Sequence, residues 1–474
     1  MSAAMSAFDT TVHIVYLACA VCFVLGLHLM NTPATARRGN QLSAVGMAVA
    51  VALTAVVLVH EGVITGVAVA VLGTGLAVGG LAGLLTAQRV KMTSMPQLVS
   101  LFNAVGGGAA ALIAFGDAIH QPDLSTLPWR ITVTTVLDLF IGGLTFTGSL
   151  VAAGKLAGRL PGRPLVLRGG RVVNVVLAAG AVGAGAFYIA GYGGVLMLCA
   201  VTAAALILGV VMTLPIGGAD MPVVISLLNA FTGTAVAMAG FVINSTPLII
   251  AGALVGAAGT ILTKLMADAM NRSLASIIAG GFGTGDEQSS VSSPAGGNVR
   301  EIAVDDAALQ LAYASKVVIV PGYGLAAAQA QHELVALAQA LTDRGVEVSY
   351  GIHPVAGRMP GHMNVLLAEA NVPYPQLKDL EEINPEFART DVALVVGAND
   401  VTNPAARRPG NPVSGMPILD VDHARSVIVI KRSLGHGYAG IDNELYLDPK
   451  TAMLFSDAKV GLAALVAGVH AYVA

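Results

Sequence analysis

Between Val172 and Ala219 the chain runs for 48 residues without one charged side chain. The hydrocarbon core of a bilayer takes roughly 20 apolar residues per helix, so this run is too long for one span. The turn-forming sequence Gly191-Tyr192-Gly193-Gly194 cuts it into two. The same length rule applied upstream predicts nine spans in all, at about residues 9–30, 42–60, 62–87, 94–117, 131–154, 172–191, 194–215, 220–243 and 247–270. Beyond them the character reverses. Residues 1–300 hold only 22 of the 53 charged side chains, and the last 174 residues hold the other 31. The overall 11% charge and mean hydropathy of +0.75 therefore average two regions meant for different solvents. A Gly/Ser-rich stretch over residues 280–297 joins them.

The basic residues orient the spans. Arg37, Arg38, Arg89, Lys91, Lys155, Arg159, Arg163, Arg168, Arg171, Lys264 and Arg272 fall on one side and only Arg130 on the other. The positive-inside bias then places the N-terminus outside and, with an odd number of spans, the charged C-terminal region in the cytoplasm. The first ten residues lack the basic n-region of a cleavable signal, so the first span is expected to be retained. A net charge of −3 gives no polyanion-binding character, which argues against a nucleic-acid partner. Cys19, Cys22 and Cys199 all sit in apolar runs, with neither disulfide nor metal spacing.

The membrane region contains a repeat. Met95-Pro-Gln-Leu-Val-Ser-Leu-Phe-Asn103-Ala matches Met221-Pro-Val-Val-Ile-Ser-Leu-Leu-Asn229-Ala at an offset of 126, and the offset also pairs Gly107 with Gly233 and Phe115 with Phe241. Small residues alone could serve close helix packing. An amide kept twice at the same depth points instead to a polar pathway, because an unpartnered amide in hydrocarbon costs several kcal/mol. Two carboxyls, Asp138 within the fifth span and Asp220 at the edge of the eighth, are functional candidates on the same ground. Asp220 before Met221-Pro222 also suits a helix N-cap. With no Lys or Arg in mid-span, a proton is the natural cargo.

In the C-terminal region Lys316-Val-Val-Ile-Val320 reads as a buried strand, followed by Gly322-Tyr323-Gly324-Leu325-Ala326-Ala327 and apolar residues running as one helix to Leu341. This is the G-x-G-x-x-A pattern of a dinucleotide-binding turn, in which the glycines let the backbone approach a pyrophosphate and Ala327 lets helix pack on strand. A second strand is predicted over residues 346–350. It ends in Ser349-Tyr350-Gly351-Ile352-His353, without the acid that would hold a free ribose 2′-hydroxyl. Lys431-Arg432-Ser433, after a strand at residues 426–430, supplies the ammonium, guanidinium and hydroxyl that suit a 2′-phosphate. A further strand at 392–396 leads into Gly397-Ala398-Asn399-Asp400, which places Asp400 as a charge sensor beside a nucleotide. The expected organisation is a multi-span α-helical membrane bundle of about nine helices (residues 1–273), a linker (274–299) and a soluble α/β Rossmann-like domain with a parallel sheet (300–474).

Taken together, residues 95–111, 218–241, 269–273, 322–331, 355–370, 397–405, 415–416, 431–440 and 453–459 resemble the β subunit of the proton-translocating nicotinamide nucleotide transhydrogenase, in both regions and in the family order. The resemblance implies an inner-membrane enzyme of bacteria that transfers hydride directly between NAD(H) and NADP(H), without a catalytic side chain, while a proton moves inward as NADPH forms. NADP(H) would bind this chain. NAD(H) would be held by a partner α subunit of one or two chains with membrane helices of its own, and two such αβ units would form a dimer. By motif, NADP(H) would be lined by Gly322, Tyr323, Gly324, Ala327, Val355, Ala356, Gly357, Arg358, Met359, Pro360, Gly397, Ala398, Asn399, Asp400, Val401, Gly415, Met416, Lys431, Arg432, Ser433, Leu434, Gly435, His436, Gly437, Tyr438, Asp457 and Ala458. In such enzymes the cofactor lies reversed relative to an ordinary dinucleotide site, which changes what each glycine would touch.

Asn103, Asp220, Asn229 and Asp400 would serve the proton path and its coupling. Several relatives carry a histidine where this chain has Asn103, and an amide cannot exchange a proton near neutral pH. The carrier is therefore expected elsewhere, on a histidine of a partner's membrane segment. The rival reading is a channel or secondary transporter whose cytoplasmic domain only senses a dinucleotide. The missing acid after the second strand, together with Lys431-Arg432-Ser433, favours a redox substrate over a sensor.

Overall fold

The computed structural model describes residues 7–30, 33–60, 62, 65–90, 94–120, 127–161, 165, 169–217, 220–270, 299–358, 361–411, 413–437 and 439–472. The expected linker therefore lies outside the described residues except for Val299, as do Met359, Pro360 and Tyr438. Chain packing divides the protein into two units. The first comprises residues 1–160, 167–214 and 225–261, and the second 161–166, 215–224 and 262–474.

Among the described residues nine helices are long and apolar enough to cross a membrane. They are α1 (Ala7–Leu29), α2 (Pro33–His60), α3 (Gly66–Arg89), α4 (Met95–Ile119), α5 (Trp129–Leu156), α6 (Gly170–Ile189), α7 (Gly194–Thr213), α8 (Met221–Val242) and α9 (Thr246–Ala269). The nine spans expected from the sequence are all there. The uncharged run divides as its glycines require, since Gly191 and Gly193 take φ of +87° and +80° between α6 and α7. Both copies of the repeat begin a helix at the same residue, Met95 in α4 and Met221 in α8.

In the first unit α5 packs against α4, α6 and α7. The approach to α4 is close at one point, where a Cβ on Gly142 would lie 2.6 Å from the Gly107 carbonyl oxygen, so only hydrogen fits there. Hydroxyls tie the helices further along. Thr147 Oγ1 donates to the Leu206 carbonyl at 2.8 Å, and the buried Lys155 ammonium donates to the Leu214 carbonyl at the end of α7. Carbonyls left over at a helix C-terminus attract a cation. By contrast, α3 buries none of its side chains in this chain.

The second unit holds a six-stranded sheet: β1 (Lys316–Pro321), β2 (Glu347–Gly351), β3 (Leu377–Lys378), β4 (Val392–Val396), β5 (Ser426–Lys431) and β6 (Thr451–Phe455). All pairs are parallel, in the order β3-β2-β1-β4-β5-β6. That is the order of a doubly wound dinucleotide-binding sheet, with its topological switch between β1 and β4. The helices are α10 (Val304–Ala312), α11 (Tyr323–Ala328), α12 (Gln331–Thr342), α13 (His362–Glu369), α14 (Leu380–Phe387) and α15 (Ala458–Ala471).

Strands covered on both faces need continuous apolar sequence, and β4, Val-Ala-Leu-Val-Val, is buried at every position. One face packs Val318, Val320, Val395, Val427 and Val429 against Ile383, Phe387, Leu419 and Leu445. Burying each of the larger side chains stabilises the fold by about 1.5–3 kcal/mol.

The single helix expected after Gly322 is two helices. Gln329 takes a left-handed φ of +51°, while Gln329 N and Ala330 N bond back to the Ala326 and Leu325 carbonyls. These bonds close α11 as a Schellman turn. The apolar spacing continues through the break, so periodicity alone reads straight across it.

Candidate functional site

In a parallel sheet every strand ends at the same edge, so the loops after β1, β2, β4 and β5 share the C-terminal side, where open α/β sheets bind ligands. The loops after β1 and β4 touch through their backbones. Gly322 N donates to Val396 O and Gly324 N to Gly397 O, both at 2.9 Å. A Cβ on Gly322 would lie 2.3 Å from Ala398 Cα, and one on Gly324 would lie 2.6 Å from Gly397 Cα. The space these glycines leave is thus taken by the β4 loop. In this fold they serve backbone packing.

The loop after β2 is pinned twice. His353 is buried; its Nδ1 accepts from Val355 N at 3.2 Å, which leaves Nε2–H to donate to Pro417 O at 2.7 Å. This bond ties the Val355–Arg358 stretch to the segment carrying Gly415 and Met416. Burial holds the imidazole down at about 4, against an ordinary value of 6.5. Arg358 N donates to His362 Nδ1 at 3.0 Å, and the Arg358 guanidinium lies 4.3 Å from the centroid of the Tyr323 ring. Tyr323 and His362 are 6.3 Å apart, so the β1 and β2 loops share one stacked cluster. Gly357 takes φ of +110° against the His362 ring.

Neutral His353 gives a pH dependence with a definite sign. Its folded value is depressed, so the unfolded chain binds the extra proton more readily below pH 6.5. Its stabilisation is complete above that pH and is lost as pH falls toward 4, by about 3 kcal/mol in all. Denaturation midpoints of the second unit, measured from pH 7.5 to 4.5, should fall more steeply in the wild type than in His353→Asn. Parallel profiles would remove His353 as the cause.

The loop after β5 carries the cations. Lys431 ends the strand, and its ammonium donates to the Gly435 carbonyl and lies 5.0 Å from the Tyr446 ring centroid. Partial burial lowers its pKa, with Asp400 pulling the other way. Arg432, Ser433 and Leu434 are exposed beside it, and His436 Nδ1 sits 3.1 Å from Asp442 Oδ1. In the amide orientation that satisfies its neighbours, Asn399 Oδ1 accepts from Gly437 N at 2.6 Å and from Lys431 Nζ at 3.1 Å. Asp400 Oδ2 accepts from Ala439 N at 3.1 Å, and a Cβ on Gly437 would strike this carboxylate at 2.3 Å. Asn399, Asp400, Lys431, Gly435 and Gly437 are therefore one cluster.

The sequence did not single out the asparagines that join these loops. Asn443 Nδ2 donates to Asn399 O at 3.0 Å, and Asn403 Nδ2 donates to Asp442 O at 3.0 Å. Each also caps a short 3₁₀ turn, Asn443 through Leu445 N and Asn403 through Ala405 N. An Asn two residues before a turn amide is the one local signal they carry.

Other candidate residues stand in supporting places. Met416 packs with Ala405, Ala406, Val413 and Ile418, while the Val401 carbonyl accepts from Leu419 N at 2.9 Å. Asp457 caps α15 through Lys459 N at 3.0 Å, just before the buried Ala458. Ala327, expected to let helix pack on strand, is instead exposed in the short α11, whose buried residues are Leu325 and Ala326. Ala356 and Ala398 are buried and Val355 is partly buried.

A family model described as NAD(P) transhydrogenase beta subunit matches residues 12–468. The chain belongs to the NAD(P) transhydrogenase beta-subunit family. Two proteins named NAD(P) transhydrogenase subunit beta from Rhodospirillum rubrum, one of them from a named strain, are each 46% identical over 457 residues. The match covers 94% of this chain and 96% of each relative. The family assignment embraces the nine membrane helices and the six-stranded domain alike.

In the membrane half of this transhydrogenase subunit, the repeat helices meet through Asn103. Its side chain is buried and donates from Nδ2 to Ile225 O of α8 at 3.3 Å, and its carbonyl accepts from Thr232 Oγ1 at 3.2 Å. Asn229, the equivalent residue of α8, is half-buried. Asp220 begins α8, with its carbonyl taking the first helical bond from Val224 N at 3.1 Å, so the N-cap expectation holds for its backbone.

Proposed function

We propose that this subunit binds NADP(H) at the C-terminal edge of its sheet and exchanges hydride with NAD(H) held on a partner α subunit, while a proton crosses the membrane helices. NADPH then forms from NADH at the expense of the proton gradient. The observation that carries the reading is the placement of Lys431, Arg432 and Ser433. They lie at and just after the end of β5, on the edge where such sheets bind nucleotides, whereas β2 ends without an acidic side chain. A phosphorylated ribose fits that arrangement and a free 2′-hydroxyl does not. Arg358, Tyr323 and the Gly397–Asp400 turn would complete the lining. The nicotinamides supply the hydride chemistry, and the protein's part is to orient the nucleotide and exclude water from it.

The resemblance extends the proposal to residues outside the description, Met359, Pro360 and Tyr438, and to an assembly of two αβ units. Asp400 would couple nucleotide state to protonation, with Asn103, Asp220 and Asn229 on the proton path. The charge bias supports an N-terminus outside and a cytoplasmic nucleotide domain in a bacterial inner membrane. The exposed faces of α3 suit the membrane helices of the partner or lipid.

The test is turnover in inverted vesicles with and without the NAD-binding partner, following reduction of an NAD analogue by NADPH beside a pH-sensitive dye. The proposal expects partner-dependent hydride transfer with acidification of the lumen, abolished by an uncoupler. Tight NADP binding without hydride transfer in the complete complex would favour a nucleotide-gated transporter.

A further inference from the structure

Among the described residues of the whole chain, Asp138 is the one acidic side chain that is fully buried, with no exposed surface at all. It lies within α5, nine residues from the start of the helix, and neither carboxyl oxygen has a hydrogen-bond partner. The nearest hydroxyls on its own helix are engaged elsewhere. Thr134 and Thr135 donate to the Arg130 and Ile131 carbonyls, each at 2.8 Å, and Thr145 donates to Ile141 O at 2.7 Å.

The ionisable groups on the helices packed against α5 are few: Asp117 on α4 with His120 just beyond it, Arg171 at the start of α6 and Tyr188 near its end, and Cys199 on α7. On α5 itself stand Arg130, two turns away, and Lys155 at the far end, roughly 25 Å along the axis. Arg171 stands at the inner end of α6 in the proposed orientation, so among the described side chains no lysine or arginine is placed to pair with the carboxyl. A lone buried carboxylate costs several kcal/mol, so a carboxylic acid is the form this enclosure accepts. A group that must be neutral when enclosed, and can ionise only when water reaches it, has the behaviour of an occluded proton carrier.

Its position has a second property. Residues 138, 142, 145 and 149 fall on one face of α5 by their spacing, and that face meets α4 at Gly107 and Ala111. Further along, Ser100 Oγ donates to Ser149 O at 2.8 Å, and Asn103 lies in the next turn of α4. The same face thus holds Asp138 near one end and a Ser/Asn layer near the other, separated by the Gly107–Gly142 contact. In the proposed orientation Asp138 lies about 14 Å from the outer end of its helix and Asn103 about 12 Å from the inner end of α4.

We propose that Asp138 is this subunit's own proton carrier in the outer half of the membrane path, on the far side of the Gly107–Gly142 contact from Asn103. This rests on the proton-coupled reading above. In the direction that makes NADPH, the Oδ–H bond forms with a proton from water admitted from outside, and it breaks as that proton passes to water on the Asn103 side. No electrons are exchanged in the step.

The experiment uses the complete complex in vesicles, with Asp138→Asn, which keeps the shape and cannot carry the proton, and Asp138→Glu, which can. Two reactions are compared. One is NADPH-driven reduction of an NAD analogue with proton movement. The other is exchange between NADH and the analogue through NADP(H) that stays bound, which needs no net proton transfer. Asp138→Asn is expected to lose at least tenfold in the coupled reaction and dye response, with exchange within twofold of wild type, while Asp138→Glu keeps coupling within a few-fold. Infrared difference spectra should contain a protonated-carboxyl band that shifts in Asp138→Glu, a signature independent of turnover.

Coupled pumping within twofold of wild type in Asp138→Asn would overturn the proposal and leave the task to a partner's histidine. Equal loss of both reactions in Asp138→Asn, with no carboxyl band that shifts in Asp138→Glu, would make Asp138 structural and overturn it too. A wild-type complex that moves hydride but no protons would fail the parent reading instead.

Discussion

Alanine at both Lys431 and Arg432 is expected to weaken NADPH binding by roughly a hundredfold or more and to leave NADH binding almost unchanged. Each charge-assisted contact to a phosphate contributes about 1.5–3 kcal/mol, and 1.4 kcal/mol is a factor of ten in affinity. The two side chains are neighbours, so their effects will not simply add. The loss should be larger at Lys431, because that ammonium is fixed before the ligand arrives. It is held by the Asn399 and Gly435 oxygens over the Tyr446 ring, whereas Arg432 is exposed and must be ordered on binding. Fluorescence titration of both nucleotides at two salt concentrations checks this. The wild-type preference for NADPH should shrink with salt and largely vanish in the double variant. An equal loss for NADPH and NADH would mean that the cations hold the loop and not the 2′-phosphate.

The membrane helices could be read from the sequence because the bilayer permits so little variation. A span must be about 20 apolar residues, and the breaks are marked by charge or by Gly191 and Gly193. The repeat was equally legible, since one shared Met-Pro start produces two helix starts. The basic end of β5 was visible because the strand before it is uninterrupted Val and Ile. What was hidden depends on contacts remote in sequence. His353 and Pro417 are 64 residues apart, and Asn443 and Asn399 are 44 apart. Nothing local in either asparagine distinguishes a loop-to-loop tie from an ordinary turn. The glycine motif was seen for its composition, and its backbone contact with the β4 loop was not. A pattern of one strand and one helix cannot announce which second strand will lie beside it. Asp138 was legible as an ionisable group in a span, but its isolation from the described cations is a property of the packed helices.

Replacing Gly397 with alanine should destabilise the nucleotide domain by about 2–5 kcal/mol, a large stability effect for a single methyl group. Two independent costs meet at that residue. Its φ is +67°, and a left-handed conformation costs an L-residue roughly 1–2 kcal/mol. The added Cβ would also lie 2.4 Å from Gly324 Cα and 2.7 Å from Leu325 N, contacts that only backbone movement can relieve. Overpacking of that kind costs about 1–3 kcal/mol. The movement would separate the loops after β1 and β4 at the switch point of the sheet, breaking the Gly324 N to Gly397 O bond and shifting Asn399 and Asp400 with it. NADPH affinity should therefore fall together with stability. Alanine at Gly410 supplies the control, since it has φ of +91° and no heavy atom within 4 Å of its Cβ direction, so it carries the strain without the clash. Thermal unfolding of both variants separates the two terms: Gly410→Ala should lose about 1–2 kcal/mol and keep NADPH affinity. If Gly397→Ala lost no more than Gly410→Ala, the β1–β4 contact would be compliant, and the glycines of the first loop would owe their place to something other than that packing.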